Sequence, residues 1–202
     1  MDYLTTLSDE YFNKGMTMDE YVSGARNYRS FVRQLMEKAE VKDNQVQRLQ
    51  ELKKNLGELR VTVNTEDWCG DWACNAPILG KLFSEAGVEM RIFRGSEFPL
   101  LKERYERDGD DHIPAVSIWN RNGDEMIRWI EAPAAVAEKK DRWKKEHPEF
   151  TRTYALQKED PKAKKEFAVM YRNFLDMMGE WYSSGMWDET VREILEKLEK
   201  QQ

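Results

Sequence analysis

The rhythm of apolar and polar positions changes twice along the chain. Thr17 and Glu20 have capping-box spacing, and Tyr21, Ala25, Tyr28, Val32 and Leu35 follow at helical period, predicting one helix over about 18–39. Val46, Leu49, Leu52 and Leu56 then share one face of a second helix, which Gly57 ends. From Leu59 the period drops to two, so Leu59–Val63 reads as a strand. A helix from about Asp71 to Ala86 follows, stopped by Gly87, and Val88–Phe93 alternates again. Ser96 is placed to cap a short helix through Tyr105. Ala115–Trp119 and Glu125–Ile130 are two further strands, and the Asn122-Gly123 pair between them is a hairpin signal.

Past Pro133 the helical period returns. Asp160-Pro161 is a cap followed by a first-turn proline, opening a helix with Phe167, Met170, Tyr171, Phe174, Met178 and Trp181 on one stripe. Ser183-Ser184-Gly185 breaks it, and Asp188 is placed to cap a last helix carrying Val191, Ile194, Leu195 and Leu198. Aromatic and Met stripes at this spacing are core faces rather than cofactor boxes. The order β-α-β-α-β-β gives an α/β centre over 58–131. A helical N-terminal extension, 1–57, packs on it, and a helical C-terminal region, 132–202, completes the same domain.

Composition narrows the function classes. Of 202 residues, 35% are charged and 40% hydrophobic, which is a soluble globular balance rather than a disordered one. The net charge of -6 argues against nucleic acid, whose backbone demands a basic face. Lys139-Lys140 and Lys144-Lys145 alternate with acids and read as a solvated helix face. No apolar run approaches the roughly 20 residues of a membrane span, and the N-terminus lacks the layout of a signal peptide. A reducing, cytoplasmic location and no membrane partner are therefore expected. Two cysteines five positions apart make no disulfide scaffold, and with two scattered histidines they make a poor zinc site. No metal and no cofactor are expected; thiol chemistry is what remains.

Cys69 stands between a strand with an acidic turn (Asn64-Thr65-Glu66-Asp67) and a helix start. Free backbone N–H groups at a helix N-terminus stabilise a thiolate, which is the nucleophilic form. Glu66, Asp67 and Asp71 act the other way, since nearby negative charge raises a thiol pKa.

Trp68-Cys69-Gly70-Asp71 with Ala76-Pro77 resembles the thioredoxin superfamily pattern, a Trp-Cys-Gly motif with a helix-kinking proline eight positions after the cysteine. Ile113-Pro114 before a hydrophobic strand is similar to that superfamily's cis-proline. The run Glu66 to Asp71 and the helical flanks, including Trp181-Tyr182 and Gly185, resemble a bacterial thioredoxin-like family with a Glu-Asp-Trp-Cys-Gly-Asp motif. The resemblance implies a thioredoxin fold: a central mixed four-stranded sheet with flanking helices, extended at both ends. It implies Cys69 as catalytic nucleophile, with Trp68, Gly70, Asp71, Trp72, Ile113 and Pro114 around the substrate.

Two departures from the superfamily shape the functional expectation. The resolving cysteine of dithiol thioredoxins, three positions on, is here Trp72, and the buried acid six positions before is Val63. Cys74, a secondary thiol, lies five residues away; five helical residues rise about 7.5 Å, beyond the about 6.8 Å that a disulfide spans. The first reading is thus a thiol-disulfide oxidoreductase with one exposed nucleophilic cysteine and an external resolving thiol. Its substrate is a protein or low-molecular-weight thiol or disulfide. The alternative is a non-enzymatic thioredoxin-like binding module using Trp68, Trp72 and Pro114. Dithiol chemistry through Cys74, with local unwinding, is a third. His112 is a candidate acid–base partner for Cys69, Asp71 a candidate helix cap, Cys74 a core residue, and a homodimer is left open.

Overall fold

The computed structural model describes residues 4–202. Its centre is a four-stranded sheet in the order β2-β1-β3-β4, with β1 (Leu59–Thr65), β2 (Glu89–Arg94), β3 (Ala115–Asn120) and β4 (Glu125–Ile130). β1 and β2 run parallel; β3 is antiparallel to β1 and β4 to β3. The parallel pair requires a crossover, supplied by α5 (Gly70–Glu85). Gly87, at φ +66°, turns the chain from α5 into β2.

Strand alternation divides the core in two. Val61, Val63, Val116, Ile118, Ile127 and Trp129 face α5 and share one hydrophobic cluster with the terminal helices. Phe93, Ala115 and Trp119 face the other way, onto α1 (Asp9–Phe12) and α6 (Pro99–Arg107), with Phe12, Leu101 and Tyr105. The first layer is built from α2 (Met18–Gly24), α3 (Arg29–Lys38), α4 (Asp43–Leu56), α7 (Ala134–Glu146), α8 (Pro148–Leu156), α9 (Pro161–Trp181) and α10 (Trp187–Glu199). From α2 onward the N-terminal helices, and the C-terminal ones, therefore bury their apolar stripes in the cluster on the α5 side of the sheet, while α1 packs on the other side. The fold is the α/β thioredoxin fold with helical extensions at both ends.

Three local expectations change. The single helix over 18–39 is two helices: the chain unwinds at Ala25, and Tyr28 takes φ +55°. The break is specified by polar contacts rather than by the apolar stripe, which stays buried. The Arg26 N–H donates to the Asp67 carboxylate at 2.9 Å, and Arg29 donates to the Ala25 carbonyl. Ser96 does not cap α6, which opens on Pro99 behind Phe98; its N–H and hydroxyl instead donate to Glu66 at 2.6 and 3.0 Å. Asp188 lies inside the first turn of α10, where it accepts from Lys42 and Gln45. The expected break after α9 is a wide π turn over Tyr182–Met186, with Gly185 at φ +130°.

Candidate active site

Cys69 is the N-cap of α5. Its sulfur accepts from the Trp72 N–H at 3.4 Å, filling one of the orphan donors of the helix start. The thiol donates to the Ile113 carbonyl at 3.4 Å, and the Ile113–Pro114 peptide is cis. The reactive-group candidate and the proline loop thus meet directly, although 44 residues separate them in sequence.

The thiol is not exposed as the sequence implied: Cys69 is only 5% exposed. Neighbours from both helical extensions enclose it. Tyr171 of α9 lies over Gly70, where an added Cβ would sit 2.5 Å from its hydroxyl, and Tyr28 packs beside Tyr171. Burial, then the Asp71 carboxylate, push the thiol pKa up to about 12. The Trp72 N–H at the start of the helix pulls against this shift without reversing it. At neutral pH the resting group is a thiol, not a thiolate.

The neighbouring positions divide sharply. Trp68 is 60% exposed and Pro114 is buried beneath the cysteine. Trp72, expected against substrate, is instead fully buried, edge-on to Tyr21 of α2. Cys74 is also fully buried, and its pKa is raised by the same loss of hydration. Both cysteines are free. The C-terminal region fixes Cys74 in place. Trp187 donates to the Cys74 carbonyl at 2.8 Å, while Asn75 bridges Tyr182 and Thr190.

Family comparison agrees with this geometry: residues 15–144, well over half of the chain, match the family described as thioredoxin. The chain belongs to the thioredoxin family. No curated protein sequence matches it. Among solved structures, it is similar to a protein of unknown function from Pseudomonas aeruginosa, with a TM-score of 0.62 and 17% identity. That likeness covers 96% of this chain and 98% of the other. An HIV epitope scaffold is similar at a TM-score of 0.61 and 16% identity, over 95% and 96% of the two chains. At such identities the likeness concerns the fold alone.

Beside the cysteine of this thioredoxin-family chain lies a buried charge cluster. Asp71 does not cap α5, since Cys69 occupies that position; both of its carboxylate oxygens accept from Lys140 at 2.9 Å. Lys140 also donates to Glu131 at 2.7 Å and is 5% exposed, so it is not part of a solvated face. Glu131 sits at φ +63°, and its N–H donates to the Pro114 carbonyl at 2.8 Å. The cluster therefore links the start of α5, the proline loop and α7. Desolvation raises the Asp71 pKa against the opposing pull of Lys140, whereas Lys140 holds Glu131 low. Position was the overlooked signal: Val136, Lys140 and Trp143 share one stripe of α7, so Lys140 occupies a core-facing position.

Asp67 was also overlooked as a fixed point. It is 6% exposed, accepts from Arg94 at 2.8 Å and from the Arg26 N–H, and so ties the pre-cysteine turn to β2 and the N-terminal helices. His112 is exposed and faces Asp111 at 3.6 Å; the atom presented to the sulfur is the carbonyl of Ile113, not the imidazole. His147 stacks on Trp143 and contacts its carbonyl, away from the site. Among the described residues no group of three His, Cys, Asp or Glu can hold a metal ion, and no helix is long and apolar enough to cross a membrane.

Proposed function

We propose that the protein is a thiol-disulfide oxidoreductase that works through Cys69 alone and depends on an external thiol. The observation that carries the reading is the placement of Cys69 Sγ between the Trp72 N–H and the Ile113 carbonyl, at a helix start against the cis Pro114. Deprotonated Cys69 attacks one sulfur of a substrate disulfide. The Cys69–S bond forms, the substrate S–S bond breaks, and the other substrate sulfur leaves as thiolate. A low-molecular-weight thiolate then attacks the mixed disulfide at the substrate sulfur and releases Cys69. A second external thiol completes reduction of the substrate, so two external thiols are oxidised for each disulfide reduced. Exposed Trp68, next to Cys69 in sequence, and the Ile113-Pro114 segment that accepts from its thiol are the groups that would meet the incoming chain.

Because the resting thiol is protonated and covered, exchange is slow at neutral pH and rises with pH. Reductase assays on the wild type, Cys69→Ser and Cys74→Ser test the reading. Activity is expected to vanish in the first variant and persist in the second. A trapped substrate adduct is expected on Cys69 when the external thiol is omitted. Wild-type protein that forms no adduct even at pH 9 sinks it.

The burial of Cys69 favours one second reading, a binding module that retains the cysteine as a core residue. It requires the opposite result: no adduct at any pH, and a Cys69→Ser variant that keeps every binding property of the wild type.

A further inference from the structure

The two tyrosines that enclose Cys69 come from the two helical extensions, and they are held very differently. Tyr28 stands at the break between α2 and α3 with φ +55°, a left-handed conformation that a bulky residue adopts only where its surroundings impose it. Its ring centroid lies 6.3 Å from that of Tyr171, and the Tyr171 hydroxyl sits over Gly70. Both tyrosines are only half-buried, unlike the cysteine they enclose.

Nothing comparable fixes Tyr171. Along α9, Phe174, Leu175 and Met178 are buried in the core, whereas Phe167, Met170 and Tyr171, nearer the start of the helix, are half-buried and Val169 is exposed. Tyr154 of α8, whose ring lies 5.2 Å from that of Phe167, is exposed as well. Tyr171 also lines a cleft of about 430 Å³ between α7, α8 and α9, which has Phe150 and Phe167 in its walls and Lys144, Thr151 and Glu131 among its polar groups. Clefts of roughly 300–1,000 Å³ hold a drug-sized ligand, so a single aromatic ring fits in this one.

We propose that Tyr171 is a gate, whose ring lies over Gly70 in the closed state and turns into the cleft between α7, α8 and α9 to open the way to Cys69. Tyr28, set by its backbone, is the post against which the gate closes. Turning one half-buried ring is a local event and requires no helix to unfold. In the cleft the ring joins Phe150 and Phe167, and its hydroxyl has polar groups within the same lining. With the ring withdrawn, Gly70 presents no side chain, and an incoming chain can lie directly over the start of α5. What the gate admits rests on the thiol-exchange reading; its movement is tested without a substrate.

Cys74 supplies an internal control, since it is fully buried on the same helix and a reagent reaches it only through wider opening. The full-length protein is labelled with iodoacetamide, and the adducts on the two cysteines are followed separately by peptide mass. Tyr171→Ala, which removes the ring, should raise the rate at Cys69 relative to Cys74 at least fivefold. Thr151→Trp fills the cleft from an exposed position, leaves the ring nowhere to turn, and should slow Cys69 at least threefold with Cys74 unchanged. A substitution that merely loosened the fold would speed both cysteines. An unchanged ratio in Tyr171→Ala, or a Thr151→Trp protein whose Cys69 reacts as fast as the wild type, overturns the proposal. A working gate in a protein that forms no mixed disulfide refutes the oxidoreductase reading alone. A mixed disulfide formed while Thr151→Trp changes nothing refutes the gate alone.

Discussion

Asp71→Asn tests whether charge holds the Cys69 thiol in its neutral form. With a pKa of about 12, the thiolate fraction at pH 8 is roughly 10⁻⁴, against about a quarter for an ordinary thiol at 8.5. Nucleophilicity rises with basicity at about 0.4–0.5 log per pKa unit. That recovers about 1.6 of the roughly 3.4 log units lost, and a deficit of about 50-fold remains before shielding is counted. Burial is the largest cause and the Asp71 carboxylate the second. Removing that charge while Lys140 stays bound to Glu131 leaves a more positive neighbourhood, so the thiol pKa should fall by about one unit. At pH 8 the thiolate population then rises about tenfold and its reactivity drops about threefold, for a net acceleration of about threefold. The assay is the alkylation rate of Cys69 by iodoacetamide between pH 7 and 9.5, in a Cys74→Ala background. Asp71→Glu is the control, because it keeps the charge while disturbing the contact with Lys140. If Asp71→Glu speeds alkylation as much as Asp71→Asn does, access rather than charge governs the thiol and the reasoning is wrong.

Stability should fall on the alkaline side. The folded-state Cys69 pKa is raised, so above about 8.5 the unfolded chain releases a proton that the native state retains, and stability declines by about 1.4 kcal/mol per pH unit. Cys69→Ala should flatten the pH 8.5–10 limb by about 2 kcal/mol in urea titrations; parallel limbs contradict the assignment. Gly70→Ala should cost about 1–3 kcal/mol through overpacking against the Tyr171 hydroxyl. Adding Tyr171→Phe should recover about 1 kcal/mol of that cost, and additive losses in the double-mutant cycle would show that the two positions do not meet. Gly123→Ala should cost at least about 2 kcal/mol in thermal or urea unfolding, since Gly123 has φ +81° and a Cβ there would lie 2.3 Å from the Leu7 carbonyl. A neutral effect would show that Leu7 is not held at the hairpin.

The central sheet and its crossover were legible because their elements carry their own local signals. The alternation in Leu59–Val63, the Gly87 stop, the Asn122-Gly123 turn and Pro77 within α5 specify a thioredoxin sheet and crossover without reference to distant residues. The location of the candidate site followed from the same signals, as Cys69 and Pro114 are fixed by strand ends. Solvation of the site was not legible. Whether Cys69 is open depends on Tyr171 and Tyr28, which lie 102 residues after it and 41 before it (171 − 69 and 69 − 28) and reach it only through tertiary packing. The break between α2 and α3 failed for the same reason: a periodic stripe reports which side chains are buried, and Asp67 capturing the Arg26 N–H overrides the backbone that the stripe suggests.

Lys140 shows how the two kinds of information combine. Its neighbours in sequence are charged, which made it look solvated, yet the helical period from Val136 places it in the core. A lysine in such a position needs carboxylates, and the fold delivers Asp71 from the first turn of α5 and Glu131 from the end of β4. The cluster therefore has a consequence that neither residue has alone. It draws a carboxylate into the desolvated shell of Cys69, where a dithiol thioredoxin would hold its second cysteine one residue further along, at the position of Trp72. Replacing the resolving thiol by a buried tryptophan, and placing a lysine-bound acid beside the remaining cysteine, both favour the neutral thiol. A chain selected only to keep this fold has no need to bury an ionic cluster at that point, since apolar residues of similar volume do as well or better for stability. If the proposed thiol chemistry holds, this cluster is the feature that sets when the sulfur ionises, and Asp71→Asn is the substitution that separates that role from packing.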